Sequence, residues 1–345
     1  MKKRRLLCSV LAAVMTVSLF GCGAKKEASN TKEEKKDLKG SKLKVFAAYG
    51  NKEKIFEQFE KDTGIKVEFM DVSSGEVLSR AKAEKGKAIG DVWFGGGLDS
   101  FIAAKNEGLL EKYVSPEAEN IKDEYRDKDG YWTGVSLVMA GFIVNKDLMK
   151  EKNLKIPESW EELAKPEYKG EVLMANPAIS GTTYAAISGI LQQMGEEKGW
   201  EYFKALDKNV PFYAKRGGEP PTKANQGEVG IGIAPMSGEF IANTTKYPIQ
   251  PVFPKDGVPW TPAPVSIFKG AENLDGAKAF VDWCLSKKGQ EVLRDNDPRI
   301  PTRKDVENPE ALKPYGDINL IKIDLEKAGK ERENIIGTWN KEFKR

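Results

Sequence analysis

The stretch LKVFAAYGNKEKIFEQFEKDTGIKVEF, residues 43–69, shows the alternation on which the fold prediction rests. Residues 43–47 predict a first strand, and residues 65–69 alternate apolar and charged side chains as a second strand does. Residues 52–63 lie between them and predict a helix with apolar side chains on one face, which ends at Gly64. Strand, helix and strand in units this short predict a parallel sheet covered by helices.

The same alternation continues along the chain. The further predicted helices are residues 75–84, residues 100–107, a helix that starts at Ser159 with a capping box, and residues 182–194. The further predicted strands are residues 91–94, 139–144, 171–175 and 229–233. We therefore predict an α/β fold in which a largely parallel sheet carries helices on both faces.

The length of the chain predicts two lobes. About 300 residues follow the N-terminal segment, which is more than a single hydrophobic core usually supports. The proline-rich residues 248–264 are expected to stay extended and to lead the chain back to the first lobe. We assign residues 43–137 together with residues 255–345 to lobe 1, and residues 138–254 to lobe 2. In such a fold, ligands bind in a cleft at the carboxyl ends of the strands.

The first residues predict export. Four basic residues at positions 2–5 precede an apolar run at residues 6–20, which is shorter than the roughly 20 residues that a transmembrane helix needs. The run ends in Leu19-Phe20-Gly21-Cys22, which resembles a bacterial lipobox, although Phe20 departs from the small or β-branched residue usual there. We predict that residues 1–21 are a lipoprotein signal peptide and that Cys22 is lipidated. The alternative is an uncleaved N-terminal anchor with an incidental cysteine.

The segment after Cys22 predicts a flexible tether. Residues 22–42 are rich in Lys, Glu, Ser and Asn and contain no aromatic residue, so they cannot bury enough apolar surface to fold. The predicted location is the extracytoplasmic face of the cell membrane, and the lipid anchor is the only predicted membrane contact.

Composition argues against several classes of function. The chain has 55 Lys and Arg against 52 Asp and Glu, and loss of residues 1–21 would leave 51 basic residues. This near balance gives no support for nucleic-acid binding. The chain has no histidine, which excludes the common Ser-His and Cys-His nucleophilic pairs, so we predict no catalytic residue and no enzyme, although carboxylate chemistry stays open. Cys284 is the cysteine left besides Cys8 and Cys22, and its amphipathic surroundings predict a buried thiol.

Six segments carry a resemblance to a known family. They are residues 56–67 (FEQFEKDTGIKV), 90–94 (GDVWF), 103–110 (AAKNEGLL), 176–183 (NPAISGTT), 227–233 (GEVGIGI) and 277–293 (AKAFVDWCLSKKGQEVL). In this order they resemble the type II periplasmic-binding fold, in the cluster of solute-binding proteins for ferric ion, thiamine, phosphonate and sugar phosphate. The resemblance implies an extracytoplasmic protein that delivers a small-molecule solute to the permease subunits of an ABC importer. We accordingly expect a monomer with no cofactor and no metal site.

The segment Ser180-Gly181-Thr182-Thr183 is the most informative about the ligand. Small hydroxyl residues and a glycine before an apolar helix leave backbone N–H groups free at the positive end of the helix, which predicts an anion site. The alternative interpretation is an ordinary N-cap, in which a hydroxyl serves the helix alone. In the resembled family, the serine and the residue two positions further on contact an anion here, which favours the anion site.

Other loops supply further candidate ligand-binding residues. Arg216 stands next to two glycines, so its guanidinium can approach a phosphate or phosphonate with little obstruction. It also occupies the place where the resembled family presents a second anion-contacting side chain, although a solvated turn arginine is the alternative. The remaining candidates follow predicted strands and are Tyr49, Ser73, Ser74, Gly75, Gly95, Gly96 and Ser237. For these the alternatives are a half-buried aromatic residue and tight turns.

The predicted solute therefore bears an anion and is a phosphonate or a phosphate ester. Ferric iron is the alternative within the same class, but the resembled ferric binders place adjacent tyrosines after the strand at residues 229–233. This chain has APMSGE there, at residues 234–239. The alternatives from other classes are an extracytoplasmic enzyme and a sensory lipoprotein.

Overall fold

The structure of the chain is a computed structural model. It describes residues 37–84, 86–236, 238–242, 244 and 246–343, apart from the side chains of Glu239 and Ala242. The predicted signal peptide, Cys22 and most of the predicted tether lie outside these residues. Within the described ranges, no helix combines the length and the apolar character that crossing a membrane requires.

Strands and helices extend from Lys42 to Glu342. The strands are β1 (Lys42–Ala48), β2 (Lys66–Asp71), β3 (Val92–Gly95), β4 (Leu110–Glu111), β5 (Thr133–Asn145), β6 (Val172–Ala175), β7 (Tyr213–Ala214), β8 (Ile231–Pro235), β9 (Ile249–Val252) and β10 (Trp260–Phe268). The helices are α1 (Lys52–Thr63), α2 (Ser74–Ala83), α3 (Leu98–Asn106), α4 (Lys146–Glu151), α5 (Trp160–Leu163), α6 (Gly181–Met194), α7 (Glu196–Asp207), α8 (Glu219–Gln226), α9 (Gly238–Ala242), α10 (Leu274–Leu285), α11 (Lys287–Asn296), α12 (Leu325–Lys330) and α13 (Arg332–Glu342). Short 3-10 helices lie between them.

These strands form one mixed sheet. Eight of them run side by side in the order β2-β1-β3-β10-β5-β8-β6-β7, while β4 pairs with β10 and β9 pairs with β5. Strand β1 is parallel to β2 and β3, and β6 is parallel to β7 and β8, as the predicted strand-helix alternation requires. Strands β5 and β10 run antiparallel to their neighbours, so the prediction of a largely parallel sheet is wrong at the centre of the sheet.

Strand β5 joins the two halves of the sheet. It pairs with β10 as far as Met139 and with β8 from Ala140 onward. All 13 of its residues are buried, so its sequence shows no alternation of apolar and polar side chains. We predicted residues 139–144 of this strand, and the rest was missed because a strand buried on both faces lacks the usual period of two.

Prolines shape the path back from β9 to β10. Pro262 and Pro264 lie within β10, and the register between β10 and β5 shifts between Ala263 and Pro264. Proline has no N–H to donate, so an irregular ladder is the expected consequence. Residues 248–264 include β9 and the start of β10, which agrees with the extended backbone predicted for them.

Two large hydrophobic clusters lie in the two halves of the sheet. The first includes Phe94 and Phe280, and the second includes Phe142 and Trp160. Trp339 of α13 belongs to the second cluster, so the C-terminal helix packs against the same residues as β6 and β8. The predicted lobe boundaries stay a prediction.

Cys284 lies in the first of these clusters. Its side chain is fully buried, which confirms the prediction of a buried thiol. Burial raises the pKa of this thiol well above its ordinary value, because a thiolate there would lose its hydration. A reactive cysteine at this position is therefore disfavoured.

Candidate functional site

A cleft of about 720 Å³ opens where the parallel strands end. Its walls come from the loops that follow β1, β2, β3, β6 and β7, and from the last residue of β8. The carboxyl ends of parallel strands meet along one edge of a sheet, so loops distant in sequence converge there. The cleft therefore lies where the sequence analysis expected the ligand.

Three helices begin at this cleft and approach each other closely. Ser74 of α2 and Gly181 of α6 line it, and so does Gly97, the residue before α3. A Cβ atom placed on Gly97 would lie 2.5 Å from the Gly181 Cα atom, which is closer than side chains allow. A Cβ atom on Gly75 would likewise lie 2.2 Å from the Ala178 carbonyl oxygen. Glycine at these positions lets the ends of the three helices come together.

At the start of α6, Ser180 acts as an N-cap and the helix end also faces the cleft. The Ser180 hydroxyl accepts a hydrogen bond from the Thr183 backbone N–H at 3.3 Å, so it is an N-cap. The Thr183 hydroxyl also lies 3.1 Å from the Ser180 oxygen, and Thr183 is buried. Gly181 and Thr182 face the cleft as the first two residues of the helix, where N–H groups lack a partner within the helix. The cap thus orders the helix end and leaves these groups directed at the cleft.

Arg216 lies beside this helix end. A Cβ atom placed on the adjacent Gly217 would be 2.8 Å from the Ser180 hydroxyl oxygen, so the two loops touch. Arg216 is exposed and forms no ion pair within the described part of the chain, whereas Lys52 and Lys223 of the same cleft are paired with Asp71 and Glu228. The guanidinium is therefore the cation of the cleft that is most available to a ligand.

Tyr49 is packed between two other side chains. Its ring stacks on Phe94, with 4.6 Å between the ring centroids, and the Arg299 guanidinium lies 4.4 Å from its other face. Its hydroxyl is 2.9 Å from the Ser136 hydroxyl. Burial raises the pKa of Tyr49 far above its ordinary value, so the phenol is neutral at physiological pH. Only the ring edge is left to contact a ligand.

Most of the predicted ligand-binding residues come together in the cleft. Those that line it are Tyr49, Ser73, Ser74, Gly96, Ser180, Gly181, Thr182 and Arg216. Gly75, Gly95 and Thr183 do not line it. Gly75 packs on the Ala178 carbonyl, Gly95 ends β3 with φ +79°, and the buried Thr183 hydroxyl is bonded to Ser180. Ser237 and Cys22 lie outside the described residues. The roles of all these residues in binding stay predictions.

The sequence analysis missed several residues of the cleft. Lys52, Asp71, Lys223 and Arg299 all line it, as do Glu219, Thr222, Gln226 and Phe240. The clearest available signal was position, because Lys52 begins the helix that follows β1 and Asp71 ends β2. Arg299 gave no such signal, since it follows α11 rather than a strand of the sheet. Four cations and two carboxylates line the cleft. Three of these cations, Lys52, Lys223 and Arg299, form ion pairs, so Arg216 is the lining cation without one among the described residues.

Metal coordination finds little support in the described side chains. Among them, no group of three or more His, Cys, Asp or Glu residues is placed to hold a metal ion. Tyr49 is the phenol of the cleft that a ferric site would need, but its hydroxyl is bonded to Ser136 and its ring lies between Phe94 and Arg299. The side chain of Glu239, a possible further ligand, is not described.

Comparison with known proteins decides the family. The model of the family described as bacterial extracellular solute-binding protein matches residues 97–323. The chain belongs to this family. A protein of Haemophilus influenzae is 34% identical over 81% of this chain and 84% of its own length. The Fe(3+)-binding periplasmic protein of Serratia marcescens is 28% identical over 69% of this chain and 71% of its own.

A solved structure supports the same conclusion for the fold. The periplasmic binding protein AfuA of Actinobacillus pleuropneumoniae, with fructose-6-phosphate bound, superposes with a TM-score of 0.82. It is 34% identical, and the match covers 88% of this chain and 99% of AfuA. The predicted type II periplasmic-binding fold is therefore confirmed, and so is membership of the solute-binding proteins of ABC importers. The relatives found are transport components rather than enzymes.

Proposed function

We propose that this solute-binding protein captures a small solute bearing a phosphate or phosphonate group and delivers it to the permease subunits of an ABC importer. The observation that carries the proposal is the convergence of the N-termini of α2, α3 and α6 beside Arg216. Helix N-termini present unpaired N–H groups and a partial positive charge, and the first residues of α2 and α6 line the cleft. A tetrahedral anion with several acceptor oxygens suits such a site.

The side chains around the helix ends support this choice. The Ser73 hydroxyl oxygen is buried and has no hydrogen-bond partner in the described structure, although Ser73 lines the cleft. Buried polar atoms are nearly always paired, so this hydroxyl is available to an oxygen of the solute. Arg216 can add a bidentate contact from the facing loop. The anion would then be held by backbone and side-chain donors from both halves of the sheet.

Relatives of this chain bear on the choice of solute. AfuA was solved with fructose-6-phosphate bound, which supports a phosphate ester. The name of the Serratia relative supports ferric iron instead. The exposed Arg216 guanidinium, which has no ion pair among the described residues, and the packed Tyr49 hydroxyl favour the anion over the trivalent cation.

The proposal extends to where the protein works. The lipobox-like Cys22 supports a lipid anchor on the extracytoplasmic face, and the charged segment after it supports a tether. A monomer on such a tether can reach a permease in the same membrane. Closure of two lobes around the solute would then distinguish the loaded from the empty protein.

A thermal-shift screen followed by isothermal titration calorimetry tests the proposal. The panel contains phosphate esters, phosphonates, thiamine phosphates, inorganic phosphate and ferric citrate. A true ligand at 100 times its Kd should stabilise the fold by about 2.7 kcal/mol. Arg216→Ala should weaken binding of that ligand by roughly 10- to 100-fold, because a charge-assisted contact is lost.

The matched control is Lys215→Ala, which removes an exposed cation next in sequence that does not line the cleft. It should leave affinity unchanged. The proposal is wrong if Arg216→Ala binds as tightly as the parent, or if ferric citrate binds and no phosphorus compound does.

A further inference from the structure

Arg299 is buried at the cleft with a donor left over. It is 6% exposed, it lines the cleft, and its Nε atom has no hydrogen-bond partner in the described structure. One face of the guanidinium covers the Tyr49 ring, and its Nη2 atom lies 2.8 Å from the Asp297 carboxylate. A buried N–H group without an acceptor is costly, and a solute oxygen in the cleft would satisfy it.

Asp297 neutralises the charge of Arg299 at this end of the cleft. It is 1% exposed, and its second oxygen accepts a hydrogen bond from the Gly238 backbone N–H at 2.9 Å. Its Oδ2 atom lies directly behind the cleft residue Gly50, where an added Cβ would be 2.8 Å away. The carboxylate therefore compensates the guanidinium charge. A second anion placed on Arg299 would gain little net attraction and would lie close to a like charge.

An uncharged oxygen avoids that repulsion. A hydroxyl or carbonyl oxygen accepts from the free Arg299 donor without bringing charge near Asp297. The end of α6, whose first turn has no acidic residue, and Arg216, in contrast, supply positive character for one anion. The cleft thus has one subsite suited to an anion and another suited to a neutral acceptor.

We propose that Arg299 forms a second subsite that binds an uncharged oxygen of the solute, so that the solute is a phosphorylated polyhydroxy compound rather than one carrying a carboxylate beside its phosphate. This inference rests on the proposed function, because it takes the phosphate at the helix ends as given. It adds Arg299 as the residue that determines specificity for the rest of the molecule.

Two matched pairs of ligands test this subsite by titration calorimetry on the whole protein. Glycerol 3-phosphate and 3-phosphoglycerate differ by a CH₂OH group against a carboxylate, and so do sorbitol 6-phosphate and 6-phosphogluconate at C1. The parent should bind the hydroxyl member of at least one pair roughly tenfold tighter than its carboxylate partner. Equal or tighter binding of both carboxylate members overturns the inference.

Two variants test whether Arg299 and Asp297 cause this ligand preference. In Arg299→Lys, the new ammonium can still pair with Asp297 but lacks the planar guanidinium and its fixed N–H donors. Binding of the hydroxyl member should therefore weaken by roughly 10- to 100-fold, and binding of inorganic phosphate should weaken less. Asp297→Asn leaves the guanidinium charge uncompensated and should shift the preference towards the carboxylate member. Arg294→Lys, on the α11 surface, is the matched control and should change nothing.

The outcomes separate this inference from the proposed function. If Arg216→Ala weakens every phosphate ligand while Arg299→Lys weakens none, the anion site stands and the second subsite is wrong. If Asp297→Asn leaves the preference unchanged, charge compensation is wrong as its cause, and the proposal fails. If no phosphorylated compound binds the parent, the proposed function fails and this inference fails with it.

Discussion

Replacement of Arg332 by alanine should destabilise the fold strongly and in a pH-dependent way. Arg332 begins α13, is 7% exposed, and places its Nε atom 2.7 Å from Oδ2 of Asp99, which is 5% exposed. Its Nη2 atom makes a longer contact of 3.4 Å to the Ala178 carbonyl oxygen. Asp99 lies in the first turn of α3, and Ala178 lies just before the N-cap of α6. The arginine therefore links the ends of two helices that meet at the cleft.

The magnitude follows from the charge that is left behind. Removing one partner of a buried ion pair leaves the other uncompensated, which costs about 3–5 kcal/mol. Arg332→Ala should lower the free energy of unfolding by this amount at pH 8. Affinity for the solute should fall as well, because the ends of α3 and α6 lose a shared contact.

The pH dependence has a definite sign. Burial raises the pKa of the Asp99 carboxyl, and the Arg332 guanidinium opposes that shift. Without Arg332, the folded pKa rises further above the unfolded value of about 3.9, so the folded state binds more protons than the unfolded state between these values. Stability then falls as pH rises through this window. The loss caused by Arg332→Ala should be smaller at pH 5 than at pH 8.

Urea denaturation followed by tryptophan fluorescence at the two pH values measures both effects. Lys330→Ala is the control, because that lysine is exposed and its nearest carboxylate is 3.7 Å away, so it should have no measurable effect. A loss below about 1 kcal/mol at pH 8 would refute the reasoning, since surface pairs alone account for that much. An equal loss at pH 5 and pH 8 would show that the Asp99 charge is not the cause.

Three further predictions concern the anchor, the lobes and the thiol. Cys22→Ala should abolish labelling with radioactive palmitate and leave the precursor uncleaved, and unchanged labelling would contradict the lipobox assignment. Saturating ligand should reduce the radius of gyration in solution scattering, because lobes joined by crossovers close by a hinge motion; an unchanged profile would rule out closure. With Cys8 and Cys22 replaced by serine, Cys284 should react with Ellman's reagent only after denaturation, since it is fully buried and burial raises its pKa. Rapid reaction of the native protein would contradict this burial.

Local sequence patterns predicted the helices and strands that depend on contacts between residues close in the chain. Helix α1 spans Lys52–Thr63, the residues that the apolar face and Gly64 indicated. Gly64 adopts φ 76° and donates its N–H to the Glu60 carbonyl, which is the helix end that its sequence predicts. Strands β5 and β10 were harder to predict, because their antiparallel pairing is between segments more than 100 residues apart. No local period records that contact.

The residues of the candidate site show the same difference between local and distant contacts. The place of Ser180, Gly181 and Thr182 at the cleft could be predicted because the start of a helix is built by one short segment. Arg299 could not, because its contacts to Tyr49 and the cleft depend on bringing together residues 250 positions apart in the chain.

This difference has a consequence for ligand recognition. Backbone N–H groups at helix ends bind many tetrahedral anions alike, so the proposed anion site at residues 180–182 would set only the class of ligand. Discrimination within the class needs side chains whose charge and donors match one solute and repel another. In this cleft those side chains come from distant loops, and the Asp297-compensated guanidinium of Arg299 is the buried example. Substitutions at such positions can therefore change the solute while the fold and the anion site stay the same.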